Sequence, residues 1–216
     1  IGANACSDDL LEEIGRLVGD DARVRIVRSD VPQLTFNLNL LVDVARHEWL
    51  VRMDADDISE PSRIREICAA IRETDADVIG SWATLIDENG QVIGTFEPKT
   101  GHEDMRRAFR FRSQLCHPTV AFRKSFWTEM RGYLGGFVSE DYDLWLRAFN
   151  AGKRFANIPK PLLRYRVHSV QASRSRRGYA EVAAHWYREL LYRPSWFNLV
   201  GWSVATAKLI FRAGRV

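Results

Sequence analysis

The sequence predicts an α/β fold: a mixed, mostly parallel central sheet flanked by helices, followed by a helical C-terminal tail. Three observations carry this expectation. The first hundred residues alternate short apolar strand-like runs with amphipathic helix-like ones, the pattern of strand–helix crossovers. One such run, Trp49 to Met53, ends directly in a group of carboxylates, and in open sheets of this class ligands gather beyond strand ends. Two apolar, aromatic-rich helical segments separated at Pro194 close the chain.

Composition bounds the rest. A chain of 216 residues, 46% hydrophobic and 27% charged, is long enough for one sizeable core and too apolar to be disordered. Cys6, Cys68 and Cys116 lie far apart, which excludes a disulfide scaffold and a cysteine-rich zinc module and fits a reducing compartment. The absence of an unbroken apolar run of about 18 residues argues against a conventional spanning helix, and nothing at the start resembles a signal peptide.

The elements are read in order. Residues 1–5 end a strand. Ser7 to Val18 is a helix, with Ser7 as its cap, Asp8 and Asp9 in its first turn, and Leu10, Ile14, Leu17 and Val18 on one face. Arg23 to Arg28 alternates as a strand, Leu34 to Arg46 is a helix, and Trp49 to Met53 is the next strand. Pro61 opens a helix that runs to Glu73, and Val78 to Ile86 is a strand. The Glu88-Asn89-Gly90 turn then returns the chain through Val92 and Ile93 as a hairpin. Beyond it come a helix from His102 to Phe111, a short strand from Thr119 to Phe122, and a glycine-rich wall from Arg131 to Ser139. Glu140 to Asn150 is a helix closed by Gly152. Two strands, Phe155 to Ile158 and Leu162 to Val167, are set apart by prolines. Residues 169–178 read as a mobile basic loop, and two helical segments fill 179–213.

Charge is uneven. Residues 1–101 carry 10 Lys+Arg against 20 Asp+Glu, and the remainder carries 21 against 8. The basic half suits an anionic membrane or a phosphorylated substrate, or the two halves face each other. Arg106, Arg107, Arg110 and Arg112 lack the interleaved aromatics of single-strand binders and any helix-turn-helix or finger spacing, so no nucleic-acid partner is expected.

Three groups of residues carry chemistry. In Arg52-Met53-Asp54-Ala55-Asp56-Asp57, Asp54 and Asp56 can converge on one hard divalent cation, Mg²⁺ or Mn²⁺, which would typically hold a diphosphate; alternatively Asp54 reaches a sugar hydroxyl while Asp56 takes the metal. Asp57 and Ser59 can instead cap the helix near Pro61. Glu140-Asp141 opens a helix, where Asp141 either serves as a general base or, with Ser139 as the cap, complements the dipole. Backbone N–H groups there favour the charged form. Arg164, Arg166 and His168 share one face of an alternating segment, as an anion wall or as a charged edge strand. His117, before Pro118, lines an acceptor side or is structural.

Together these stretches resemble the inverting family-2 glycosyltransferases, which have the nucleotide-diphosphosugar transferase (glycosyltransferase A) fold. The resemblance runs from Ile1 to Ser173. It rests on Arg52 to Ser59 with Pro61, Val78-Ile79-Gly80-Ser81, and Ile86-Asp87 with Asn89-Gly90. It continues through His117-Pro118-Thr119-Val120 with Phe122-Arg123, Glu140 to Ala148, and Tyr165-Arg166-Val167-His168. It implies that Asp54 lies near the ribose and donor sugar, that Asp56 is the main metal ligand, and that His168 completes the coordination. It also implies that Asp141 is the base, that Glu140 stands beside it in the acceptor site, and that Ser7 and Asp8 end the nucleotide-binding segment. Departures are Val31-Pro32-Gln33 where an Asn-x-Gly pattern is expected, Asp8-Asp9 for Asp-Gly, and His47 for a glycine. The family's opening strand and helix, about thirty residues, are expected upstream of Ile1, so residues 1–173 read as an N-terminally incomplete catalytic domain and 174–216 as a basic loop and amphipathic tail.

The implied reaction is inverting transfer from a nucleotide-diphosphate sugar, with UDP the commonest donor base. The acceptor is a hydroxyl of a glycan or lipid-linked molecule in cell-envelope or extracellular polysaccharide synthesis. Arg164 or Arg166 would add charge at the diphosphate, and the glycine-rich wall with Arg174, Arg176 and Arg177 would exclude water. Arg188, Arg193, Lys208, Arg212 and Arg215 edge an apolar tail surface that suits peripheral membrane contact from the cytoplasm, or packing on the domain or on a second copy in a homo-oligomer. A non-catalytic glycan-binding or scaffold domain and a nucleotidyltransferase are the rival functions.

Overall fold

The computed structural model describes residues 1–136, 138–168 and 176–212; the expectations for Arg174, Arg215 and most of the basic loop fall outside them. The chain opens with strand β1 (Gly2–Asn4), helix α1 (Asp8–Val18) and strand β2 (Val27–Ser29), and β1 and β2 pair in parallel as a two-stranded sheet. Ser7 caps α1 as expected, its hydroxyl accepting the Leu10 N–H at 3.3 Å. The strand expected from Arg23 shortens to Val27–Ser29 because Asp21 draws the Arg23 N–H and guanidinium into a local turn. Helix α2 (Leu34–Val44) follows.

The second sheet contains β3 (Trp49–Val51), β4 (Ile58–Ser59), β5 (Val78–Ile86), β6 (Val92–Phe96), β7 (Ala121–Arg123) and β8 (Phe155–Arg166), in the order β3-β7-β5-β8-β4 with β6 also on β5. Helices α3 (Arg63–Glu73), α4 (His102–Phe109), α5 (Lys124–Met130) and α6 (Glu140–Asn150) connect them. The sheet is mixed, but within it only β5 and β8 run parallel; the other pairings are antiparallel. Hairpin returns such as the Asp87–Gln91 turn, where the Asp87 carboxylate accepts the Asn89 and Gln91 N–H groups, produce that sense.

Central strand β5 is buried along Val78–Ser81, as a strand covered on both faces must be. The prolines near residue 160 do not divide β8. Register shifts opposite Ser81, Trp82 and Ala83 let Pro159 and Lys160 bulge outward, so one strand spans Phe155–Arg166. Thr119 lies in a 3₁₀ turn (His117–Thr119) rather than in β7, and α5 was not expected: seven residues are too few for a helical period to show.

Helices α7 (Arg176–Tyr192) and α8 (Trp196–Arg212) close the described chain. Their inner residues Ala183, Trp186, Phe197 and Ala205 belong to the same core as Phe109, Trp145 and Phe149. The core therefore runs across the boundary expected at 173/174, and Trp186 and Phe197, expected on an amphipathic surface, are interior. Trp186 is fully buried in that core, so it offers no surface to a lipid. Outside, Leu191, Tyr192, Trp196, Ile210 and Phe211 stay exposed. Among the described residues no helix is long and apolar enough to cross a membrane.

Candidate active site

The acidic strand end is built on two buried arginines. Arg52 leaves β3 with its N–H donating to Val120 C=O at 2.9 Å, which keeps the backbone aligned with β7 beyond the last ladder residue. Buried Arg63 of α3 donates to Arg52 C=O at 2.5 Å and to Pro118 C=O at 2.9 Å, fastening this strand end to the His117-Pro118 turn. The Arg52 side chain, also buried, grips Asp54 with both prongs of its guanidinium, at 2.6 and 3.0 Å. Asp57 does not cap α3. It is buried and accepts the Arg166 N–H at 2.9 Å, and burial, aided by Asp54 and Asp56, pushes its carboxyl up to about 6.

Asp56, the expected metal ligand, meets His168: Nε2 lies 2.8 Å from Oδ2, and both side chains are nearly half exposed. The Asp56 carboxylate suits either ion and the His168 imidazole suits the transition ion of the two, so the pair fits Mn²⁺ better than Mg²⁺, which prefers oxygen donors alone. Among the described residues no group of three or more His, Cys, Asp or Glu converges, so such an ion would draw its other ligands from diphosphate and water.

Arg164 and Arg166, expected as an anion wall or a charged edge, both have protein partners. Arg164 pairs with Glu60 at 2.9 Å. Arg166 is a tether: its side chain donates to the carbonyls of Asp56, Asp87 and Glu88 at 2.9–3.0 Å, pinning the acidic turn to the β5–β6 hairpin. Ser7 and Asp8 stand at the start of α1, where Asp8 pairs with Arg28 at 2.8 Å; no described contact joins them to the acidic cluster.

Glu140 and Asp141 open α6 as expected. Asp141 Oδ1 accepts the Tyr142 N–H at 2.7 Å, yet burial, and then the adjacent Glu140, push its carboxyl up to about 6; desolvation outweighs the backbone donors that were expected to hold it charged. Burial raises Glu140 as well, with Arg52 opposing the rise and Asp54 adding to it. The two acidic corners therefore lie within each other's electrostatic reach, and the Arg52 guanidinium acts on both. Asp141 lines a cleft of about 560 Å³ whose walls include Cys116, His117, Tyr165 and Val167, the last beside His168. His117 thus lines the same cleft as Asp141. Burial, and then Arg52, drive its basicity well below normal, so it is neutral, and Nε2 shares a hydrogen bond with the Tyr133 hydroxyl. Asn39 fixes that partner by clasping the Tyr133 backbone N–H and C=O at 3.1 and 3.0 Å.

The start of α6 is held from α7. Ser139 makes no side-chain cap. Instead Glu181 Oε2 accepts the Val138 N–H, the Ser139 N–H and the Ser139 hydroxyl at 3.1, 3.2 and 3.0 Å, and His185 Nε2 lies 3.1 Å from the same hydroxyl. One turn on, buried Asp143 pairs with Arg147 of α6 at 2.8 Å and Arg188 of α7 at 2.6 Å. In the glycine-rich wall Gly132, Gly135 and Gly136 all take positive φ, and Arg147 holds its start through the carbonyls of Met130 and Gly132. Arg177, expected in a closing loop, lies in α7 and pairs with Glu181 at 3.3 Å. Sequence reasoning missed Arg52 as a site residue, although a charge inside an apolar strand marks it. It also missed Glu181 and His185, for which no local signal exists.

Comparison with known proteins gives the following. The model described as glycosyltransferase like family 2 matches residues 2–188. The O-antigen biosynthesis glycosyltransferase WbnJ of Escherichia coli is 35% identical over 182 residues, which cover 83% of this chain and 71% of that protein. The UDP-Gal:alpha-D-GlcNAc-diphosphoundecaprenol beta-1,3-galactosyltransferase of Escherichia coli is 28% identical over 138 residues, 63% of this chain and 50% of that one. The crystal structure of S. aureus TarS 1-349 in complex with UDP-GlcNAc superposes with a TM-score of 0.71 at 14% identity, covering 99% of this chain and 64% of that chain. That likeness shows a shared fold, and the chain spans only part of each of these proteins.

Proposed function

The chain belongs to glycosyltransferase like family 2, and from that premise we propose that it transfers a sugar, with inversion, from a UDP-linked donor to a hydroxyl of a glycan or lipid-linked acceptor in cell-envelope or extracellular polysaccharide synthesis. The observation that carries this reading is that Asp141 lines a cleft next to the turn in which Arg52 grips Asp54 and Asp56 meets His168, with Arg52 close enough to act on Glu140 and Asp141. The UDP donor is further supported by the UDP-GlcNAc bound in the TarS complex and the UDP-Gal donor of the galactosyltransferase relative.

In this reading Asp141 accepts the proton of the acceptor hydroxyl as its oxygen attacks the anomeric carbon from the face opposite the leaving diphosphate. Its raised carboxyl is matched to such a proton transfer near neutral pH. Glu140 stands beside the acceptor, and Arg52 holds Asp54 rigid for the ribose or donor sugar. Asp56 and His168 would hold a Mg²⁺ or Mn²⁺ ion, which when bound supplies positive charge to the departing diphosphate. Peripheral contact with the cytoplasmic face of a membrane is proposed for the exposed Trp196, Ile210 and Phe211 of α8.

A donor screen by mass spectrometry, with Mg²⁺ and with Mn²⁺, tests the proposal. Sugar transfer that disappears in Asp141→Asn while UDP binding persists is the expected result. Neither transfer nor UDP binding under any condition would leave a non-catalytic domain of the same ancestry.

A further inference from the structure

We propose that His117 hydrogen-bonds the acceptor through Nδ1–H, at the oxygen next to the hydroxyl that Asp141 deprotonates, and so helps to decide which hydroxyl of the acceptor is glycosylated. This rests on the transferase reading of the cleft and names a specificity-determining residue within it. His117 and Asp141 line the same cleft, and the His117 ring meets the Trp145 ring edge-on, with centroids 6.2 Å apart. Trp145 stands four residues beyond Asp141, so the imidazole abuts the face of α6 that carries the base. The turn that holds His117 is fixed in place. Arg63 donates to Pro118 C=O at 2.9 Å, and the Thr119 hydroxyl donates to Cys116 C=O at 2.8 Å.

Counting protons assigns the donating nitrogen. His117 is neutral, because burial and then Arg52 depress its basicity. Burial pushes the Tyr133 phenol above its ordinary range, so the hydroxyl keeps its proton. The two groups share one hydrogen bond at Nε2. If Nε2–H donated, the buried Tyr133 O–H would have no acceptor among the described residues. If the hydroxyl donates, both groups are satisfied and the ring proton sits on Nδ1. Among the described residues Nδ1 has no partner, and it is not sealed in the interior. The cleft therefore offers a carboxylate that takes a proton and an imidazole N–H that donates a hydrogen bond. A sugar with two neighbouring oxygens matches that pair, and an isolated alcohol fills one half of it. Few other polar groups compete. Leu85, Ile93, Phe96 and Val167 make much of the wall apolar, and the Ser113 hydroxyl donates to Leu115 C=O at 3.1 Å.

The test is nitrogen-resolved NMR of imidazole-labelled protein, which needs no donor. At pH 7 the wild-type His117 ring should be neutral with its proton on Nδ1, and Tyr133→Phe should release it to the Nε2–H form. The probes are methyl glycosides of glucose, galactose, mannose and N-acetylglucosamine, each with its monodeoxy analogues. A glycoside that accepts sugar should shift the Nδ1 resonance. Removing one hydroxyl next to the attacking one should abolish that shift and lower kcat/KM by about tenfold. His117→Phe should lower kcat/KM for the parent glycoside by a similar factor, make the protein indifferent to that hydroxyl, and leave UDP binding with Mn²⁺ unchanged. A charged ring or an Nε2–H ring in the wild type, or an equal deoxy penalty in wild type and His117→Phe, would overturn the proposal. So would loss of UDP binding in both His117→Phe and Tyr133→Phe, which would assign the pair to the fold or the donor site. Transfer with Nδ1 undisturbed would sink this inference alone, and binding at Nδ1 without transfer would sink the transferase reading alone.

Discussion

His168 Nε2 lies 2.8 Å from Asp56 Oδ2 across 112 positions of sequence. The contact joins the acidic turn after β3 to the segment after β8, and both side chains reach solvent. Asp56→Ala is expected to remove Mn²⁺-dependent tightening of UDP binding, and His168→Ala to weaken it by about tenfold, ~1.4 kcal/mol. Isothermal titration with UDP, with and without Mn²⁺, reads both. Equal tightening in wild type and Asp56→Ala would remove the pair from that role.

Transfer should depend on pH through Asp141. Its carboxyl sits at about 6, above the ordinary ~4, because burial and Glu140 disfavour the charge. The base is competent only when deprotonated, so kcat should climb as pH rises through about 6. Stability runs the other way. The folded protein holds this proton more tightly than the unfolded chain, so this group's contribution declines as pH rises from ~4 towards 6 and is constant above. A pH–rate profile flat between 5 and 7 would contradict the assignment.

Arg52 separates charge from geometry. Its positive charge opposes the rise of Asp141, and its forked guanidinium grips Asp54. Arg52→Gln should therefore shift the acid limb of the profile to higher pH and raise the donor KM. Arg52→Lys should raise KM with little shift, since an ammonium keeps the charge and loses the fork. Identical profiles in all three proteins would restrict Arg52 to a structural part.

Glu181 anchors the peptide before α6 from a different helix, accepting two N–H groups and the Ser139 hydroxyl. Glu181→Gln weakens that anion-to-N–H anchor and should destabilise by about 1–2 kcal/mol in chemical denaturation. It should lower kcat more than it raises donor KM, because the displaced element carries Asp141 and not the donor acids. A variant that loses stability with unchanged kcat would show that α7 supports the fold alone.

The local code of this chain was sufficient for much of what it builds. Ser7 and the acids behind it specify the start of α1, the apolar-rich run from Val78 to Ile86 specifies β5, and Glu140 to Asn150 specifies α6 residue for residue. The acidic motif after an apolar strand and the acids opening α6 were legible because motif and element coincide within a few residues. Seven-residue α5, two-residue β4 and the continuity of β8 through its prolines were not, since each is fixed by partners far along the chain. That Arg166 tethers the carbonyls of Asp56, Asp87 and Glu88 was not legible either, since those groups lie about 80 to 110 positions away along the chain. Sequence alone set which residue types could do the chemistry. Only the tertiary structure brought Asp56 to His168, buried Arg52 where it grips Asp54 within reach of Glu140 and Asp141, and put Glu181 of a distal helix at the start of α6. Those pairings depend on the path of the whole sheet and on which groups burial leaves in need of a partner, and no window of sequence contains that information.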